Sequence, residues 1–358
     1  MKHVVFVILI LIARSTFAQS DYFKLNVGLE PFRGFAWAHD KEVNSIENTS
    51  LIGLTFEVNK LHLGNQSKQW CKNAYYNGYQ FSYYHFSNPI IGNSISASYF
   101  LEPILFNSQN IRLSLRAGIG LAYASNPFDS IINPLNKNYS LSINPYLNLG
   151  LNARYRVNGG LFVKAGLNYN HISNGNVQDP NYGLNFPSVS LGIEKTINTF
   201  NEKPMLLDLK PNWRIDIALF ASNKSSPLSL KDRFWVYGLG INVSRKVNLL
   251  HAFTFGAEFM ADESIGFLFQ YESRKGRSYY RLGGIIGHEF LLGSKFIFSQ
   301  QLGLYLFNQT PYISWVYHRW GLSYKLNEHV MIGANLLADL QKANFLDARI
   351  IYSLTAGK

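Results

Sequence analysis

Cysteine is nearly absent. Among 358 residues only Cys71 carries a thiol, so no disulfide can close within the chain. Charge is scarce too: Asp, Glu, Lys and Arg make up 15% of the residues, against about 25% in an average soluble domain. Beyond the first residues there is no continuous apolar run of about 20, which excludes a transmembrane helix. Acidic residues are fewer than basic ones, and the formal net charge is +11. No basic helix or nucleic-acid motif accompanies that excess, so no nucleic-acid partner is expected. The positive balance suits a surface of phosphorylated lipid headgroups instead.

The N-terminus reads as a targeting segment. Lys2 and His3 precede an apolar run from Val4 to Ala13, and Thr16-Phe17-Ala18 fits a small-residue cleavage site before Gln19. Residues 1–18 are therefore expected to be a signal peptide. No cysteine follows the cleavage site, so no lipoprotein anchor is expected.

Present in excess are aromatic residues, 22 Tyr and 26 Phe, and they fall in segments that alternate. From Ile143 the odd positions are Ile143, Pro145, Leu147, Leu149, Leu151, Ala153, Tyr155 and Val157. The even positions are Asn144, Tyr146, Asn148, Gly150, Asn152, Arg154 and Arg156. Apolar-out and polar-in over segments of about 10 residues is the pattern of an outer-membrane β-barrel. Eight such segments lie between Phe23 and Ile197 and eight between Trp213 and Leu354. The fold class expected is all-β, a transmembrane antiparallel barrel of about sixteen strands in a Gram-negative outer membrane. Two eight-stranded barrels in tandem are the alternative. One large barrel is favoured because two open halves can join edge to edge, whereas two small ones must each close a seam.

The halves resemble each other. The stretch from Ala153 aligns without a gap on the stretch from Leu322, which keeps the apolar face at Val330, Ile332, Ala334, Leu336 and Ala338. The organisation expected is a signal peptide, a first half over 19–200 bearing the active site, and a degenerate second half over 212–358.

The chemistry concentrates at His171-Ile172-Ser173-Asn174-Gly175. In the preceding strand the greasy face is Leu161, Val163, Ala165, Leu167 and Tyr169, and His171 and Ser173 continue it. Residues two apart share a strand face about 7 Å apart. A base and a hydroxyl thus point out of the barrel toward lipid, at the outer rim. Such a pair can make an activated nucleophile if a third group orients the imidazole. Asn185 opens the next strand on the same face and rim, and its amide oxygen can hold a His tautomer. Glu194 has the opposite parity and lies about 30 Å down the strand at about 3.4 Å per residue. For an oxyanion, the N–H groups near Asn174 and Gly175 and the amides of Asn174 and Asn181 are the candidates. Leu340 and Lys342 stand where the second half would need His and Ser. His288-Glu289 and His318-Arg319 read as rim or lumen polar groups without a metal-ligand set, and Asp339, Asp347 and Arg349 as part of a lumen network.

The stretch HISNGNVQDPNYGLN, 171–185, resembles the active-site segment of the lipid A 3-O-deacylases, also called acyloxyacyl hydrolases. His171, Ser173, Asn174, Pro180, Asn181 and Gly183 match. Position 185 departs, with Asn185 where the family pattern has Glu. The Asn is also similar to the third member in outer-membrane phospholipase A, which shares His-x-Ser-Asn-Gly. The first resemblance implies hydrolysis of an acyl ester of lipid A without cofactor or metal, by Ser173, His171 and Asn185. The rivals are a phospholipase A helped by calcium and a non-enzymatic, porin-like barrel. The partner is expected to be lipid A or another outer-leaflet lipid.

Overall fold

Alternation becomes strand along most of the chain. The computed structural model describes residues 23–63, 74–200, 212–226, 229–248, 250–274, 276–292, 295–311, 313–339 and 342–356. The expected signal peptide, Cys71 and Leu340 lie outside the described residues. Eight strands form the first half: β1 (Phe23–Phe35), β2 (Ser50–His62), β3 (Tyr75–Phe86), β4 (Asn93–Asn107), β5 (Ile111–Ala124), β6 (Ile143–Asn158), β7 (Leu161–Ile172) and β8 (Leu184–Phe200). Eight more form the second: β9 (Trp213–Ser226), β10 (Ser229–Lys246), β11 (His251–Asp262), β12 (Tyr280–Leu292), β13 (Phe296–Phe307), β14 (Val316–Lys325), β15 (Val330–Asp339) and β16 (Lys342–Ala356). An α-helix, α1 (Glu263–Tyr271), follows β11 and is capped by Asp262, whose side chain accepts from Ser264 N.

The strands close into two barrels rather than the single sixteen-stranded one favoured from sequence. β1 pairs with β8, placing Phe23 opposite Phe200 and Gly28 opposite Glu194, and β9 pairs with β16 in the same way. The reason lies in the interior. An eight-stranded barrel is just wide enough for side chains to fill it, and each half brings its own charge-matched filling. In the first barrel Glu57 meets Arg116 at 2.8 Å and Lys164 at 2.9 Å. Glu102 meets Arg116 at 2.6 Å and also Arg154. Arg154 reaches Glu194 at 3.1 Å, and Lys164 reaches Glu30 at 2.5 Å. The second barrel has a separate set: Arg319 with Glu258 and Asp347, Arg349 with Asp347, Arg281 and Lys224 with Asp262, and Arg214 with Asp216 and Glu289. A shared lumen would leave these charges in water. Two narrow ones let them neutralise each other.

The parity read from sequence holds. Leu147, Leu149 and Leu151 on β6 are exposed while Asn144, Asn148, Asn152 and Arg154 are buried. Glu289, Arg319, Asp347 and Arg349 are buried in the second lumen. Asp339 joins them through Asn344, which donates to it from Nδ2 at 2.5 Å and accepts from Lys224 at 2.7 Å. His288 faces outward and its Nε2 lies 2.9 Å from His251 Nδ1. Among the described residues no cluster of His, Cys, Asp and Glu could hold a metal ion.

The outer end of the first barrel, where loops 36–49, 125–142 and 173–183 emerge, is plugged by aromatics. Phe32, Tyr84, Phe86, Tyr139, Tyr146 and Phe186 form a buried cluster with Ile172 and Leu184. Tyr84 and Tyr146 join hydroxyls at 2.7 Å. This plug is the floor on which the candidate site rests.

Replacing Arg154 by Met strands the buried Glu194, a change that costs about 3–5 kcal/mol when one partner of a buried pair is lost. Because the two ion networks are separate, only the first barrel is expected to weaken. Urea titration in micelles with limited proteolysis as the readout checks this. A fall in the midpoint for 213–356 equal to that for the first barrel would contradict independent closure.

Candidate active site

The end of β7 is fixed from inside. Asn170 faces the lumen, accepts hydrogen bonds from Tyr146 Oη at 2.7 Å and Asn148 Nδ2 at 2.9 Å, and donates to Phe186 O at 3.0 Å. Ile172, the next inward residue, is wholly buried in the aromatic plug. With both inward neighbours pinned, His171 and Ser173 must project outward, where each is half-buried.

Register supplies the third group. β7 and β8 place His171 directly opposite Asn185. Asn185 Oδ1 lies 2.6 Å from His171 Nδ1, so the amide oxygen accepts from the ring N–H and leaves Nε2 free of that proton. Glu194 sits opposite Phe162 at the far end of the pair, bound to Arg154 in the lumen. Ser173 donates its backbone N–H to Pro145 O at 3.3 Å. A Cβ added at Gly183 would stand 2.6 Å from His171 Cε1, 3.4 Å from Nε2 and 3.4 Å from Ser173 Cβ. The returning loop therefore brings imidazole and serine to one point, and does so only because position 183 has no side chain and takes φ +80°.

The loop between β7 and β8 is held by its own asparagines. Asn181 Oδ1 accepts from Asn174 N at 2.8 Å. Asn174 Nδ2 donates to Ser140 Oγ at 3.0 Å and Gln178 O at 2.7 Å. Asn174 thus spends its donors on the loop and is 1% exposed, which removes it from the oxyanion candidates. Gly175, with φ +65°, and the Asn181 side-chain NH2 remain. Gly183 N bonds Asn138 O at 2.8 Å and Tyr182 N bonds Lys137 O at 3.1 Å, tying this loop to the one before β6.

Two features were not legible in the sequence. The first is His39, in the loop after β1. Trp37 N donates to Asn185 O at 2.8 Å and carries His39 over the site. His39 Nδ1 then lies 3.0 Å from Asn185 Nδ2, and its Nε2 lies 3.1 Å from Tyr182 O. A lone histidine 132 positions upstream of His171 gives no periodicity or spacing signal. The second is the reach of the second barrel. Asn176 Nδ2 donates to Asn344 O at 2.8 Å, Asp179 N to Ser225 Oγ at 3.0 Å, and Arg233 Nη1 to Val177 O at 2.5 Å. A Cβ at Gly175 would lie 3.0 Å from Leu346 Cβ.

Below His171 and Ser173 the outer wall of the first barrel carries an open groove of about 640 Å³, lined by Leu115, Leu149, Leu151, Leu167, Tyr169 and Val189 among others. Its apolar lining on the lipid face matches hydrocarbon chains. Among the described residues the second half offers no equivalent of the polar trio. Asn344, near the start of β16 as Asn185 is near the start of β8, is buried and accepts from the lumen cation Lys224 at 2.7 Å.

Comparison with known proteins finds one family match in each half. Residues 50–194 match the family model for lipid A 3-O-deacylase, and residues 213–356 match that for the acyloxyacyl hydrolase C-terminal domain. Among solved structures, the outer membrane enzyme PagL is 20% identical over 48% of this chain and 99% of its own, with a TM-score of 0.34. Neisserial surface protein A is 14% identical over 49% and 97%, with a TM-score of 0.32. The translocator domain of the autotransporter NalP from Neisseria meningitidis is 11% identical over 98% and 95%, with a TM-score of 0.23. No curated protein matches the chain.

Two outcomes are expected from this geometry. Gly183→Ala forces a methyl against His171, and a misplacement of about 1 Å can cost about 10²-fold in rate. Turnover should fall by that order while heat-modifiable gel mobility, which reports barrel closure, stays unchanged. A fully active variant would show that the loop does not confine the imidazole. Replacing Asn176 and Ser225 by Ala together should speed amide exchange in 174–181 and leave the amides of β7 protected. Unchanged exchange in the loop would show that the second barrel does not restrain it.

Proposed function

The chain belongs to the lipid A 3-O-deacylase family of the outer membrane, with one family domain in each half, and from that premise we propose that its first barrel is a serine esterase acting on an acyl ester of lipid A. The observation that carries this reading is the 2.6 Å contact between Asn185 Oδ1 and His171 Nδ1, made on the lipid-facing side of the rim and beside Ser173.

In this mechanism the substrate stays in the outer leaflet and slides along the barrel wall, its acyl chain in the groove below Tyr169. Ser173 Oγ forms a bond to the ester carbonyl carbon as its proton passes to His171 Nε2. Asn185 keeps the other ring nitrogen protonated and the ring in plane. Gly175 N–H and the Asn181 amide stabilise the oxyanion, a contribution typically of about 2.7–4 kcal/mol per donor. Collapse breaks the bond to the sugar oxygen, which takes the proton back from His171. Water then repeats the sequence on the acyl-enzyme and releases the fatty acid. A neutral amide lacks the negative charge that would stabilise the imidazolium, so some rate is given up relative to a carboxylate at position 185.

Incubating the full-length protein with purified lipid A, and separately with phospholipid vesicles with and without calcium, tests the assignment by the fatty acid released. Lipid A is expected to lose one acyl chain. Ser173→Ala and His171→Ala are each expected to abolish release while the barrel still folds, since members of such a set act as a unit. Release from phospholipid alone would favour the phospholipase reading suggested by Asn185. Normal activity in Ser173→Ala would end the serine mechanism.

A further inference from the structure

An amide in the third position has a weakness that a carboxylate lacks. Its two ends differ, and only one of them serves. With Oδ1 toward His171 the ring is protonated at Nδ1, and Nε2 is the base. With Nδ2 toward His171 the amide donates, Nδ1 becomes the acceptor, the proton moves to Nε2, and the ring can no longer take a proton from Ser173. The two orientations have nearly the same shape, so something must distinguish them.

His39 does so by its own hydrogen bonds. Two backbone carbonyls, which can only accept, approach its ring: Tyr182 O lies 3.1 Å from Nε2 and Trp37 O 3.4 Å from Nδ1, and the shorter contact puts the proton on Nε2. In a neutral ring Nδ1 is then an acceptor, and it lies 3.0 Å from Asn185 Nδ2. The amide NH2 must therefore face His39, which turns Oδ1 to His171 at 2.6 Å. The flipped amide would need His39 to donate from both nitrogens. The chain of acceptors and donors runs in one direction, from the Tyr182 carbonyl through His39 and Asn185 to His171. The Trp37 N–H to Asn185 O bond at 2.8 Å fixes the loop that brings His39 there.

The geometry points to His39 as a positioning residue that sets the tautomer of His171 by polarising the Asn185 amide, and so makes an asparagine serviceable where the family pattern has a glutamate. The inference rests on the esterase reading above and deepens it. His39 touches no reacting atom in that reading. It acts through Asn185.

The test is a double-variant series on the full-length protein with purified lipid A, with barrel closure checked by heat-modifiable mobility. His39→Ala frees the amide to turn and should lower kcat about ten-fold, well short of the roughly 10⁴-fold loss that a permanently wrong tautomer brings, with KM little changed. Asn185→Glu in the His39→Ala background should restore kcat, because a carboxylate presents an acceptor whichever way it turns. Wild-type kcat in His39→Ala, in a protein that Ser173→Ala inactivates, would overturn the role of His39 and leave the esterase standing. A His39→Ala loss that Asn185→Glu fails to restore would show a general loop function instead and would equally overturn it. If Ser173→Ala were fully active, the esterase reading itself would fall.

Discussion

The structure depends on filling a narrow lumen. Eight strands enclose a space that side chains can occupy completely, and the occupants here are charged. A buried charge is tolerable only when paired and hydrogen-bonded, so each carboxylate in the lumen dictates where an arginine or lysine must stand. Glu57, Glu102 and Glu194 share Arg116, Arg154 and Lys164 across six strands. A slip of one residue in any pairing would put those groups on the lipid side, where charge costs about 2–4 kcal/mol near the midplane. The ion network thereby fixes register, and register fixes the site. His171 meets Asn185 because Phe162 meets Glu194 further down the same ladder.

How much of this was legible in the sequence follows from the same logic. Parity is local, so the outward placement of His171, Ser173 and Asn185 and the inward placement of Glu194 could be read from alternation alone. Closure is not local. Sixteen alternating segments are compatible with one ring or two, and only the pairing of charges across a lumen decides between them. Seams alone favour one barrel, and the interior reverses that preference. The loops were least legible. Asn174 matches the family pattern and reads as an oxyanion donor, yet its donors are consumed by Asn181, Ser140 and Gln178. His39 enters through a backbone bond from Trp37 to the start of β8, and nothing in composition or spacing announces such a contact.

The second barrel shows what the two halves have in common. Its wall keeps the alternating face, and its lumen keeps a balanced network of its own, since both are conditions for a closed barrel to exist in a membrane. The polar trio is not such a condition, and there the halves part. The second rim nevertheless touches the loop that carries Gly175–Asp179 through Ser225, Arg233, Asn344 and Leu346. One half carries His171, Ser173 and Asn185 on its outer wall, and the other abuts the loop beside them.

The substitution at position 185 completes the picture of a site built at a lipid boundary. A carboxylate there would supply charge to the imidazolium and would need no help in orientation. An amide carries no charge, so it avoids desolvating an anion beside a hydrocarbon-facing wall, but it must be told which end to present. The instruction comes from a backbone carbonyl, the one group in the chain of contacts whose polarity cannot change. Tyr182 O fixes the proton on His39, His39 fixes the amide, and the amide fixes His171. Tyr182 and Gly183 are in turn bonded to Lys137 and Asn138, so the orientation of the His171 imidazole is anchored in the fold of two neighbouring loops rather than in any single acidic residue.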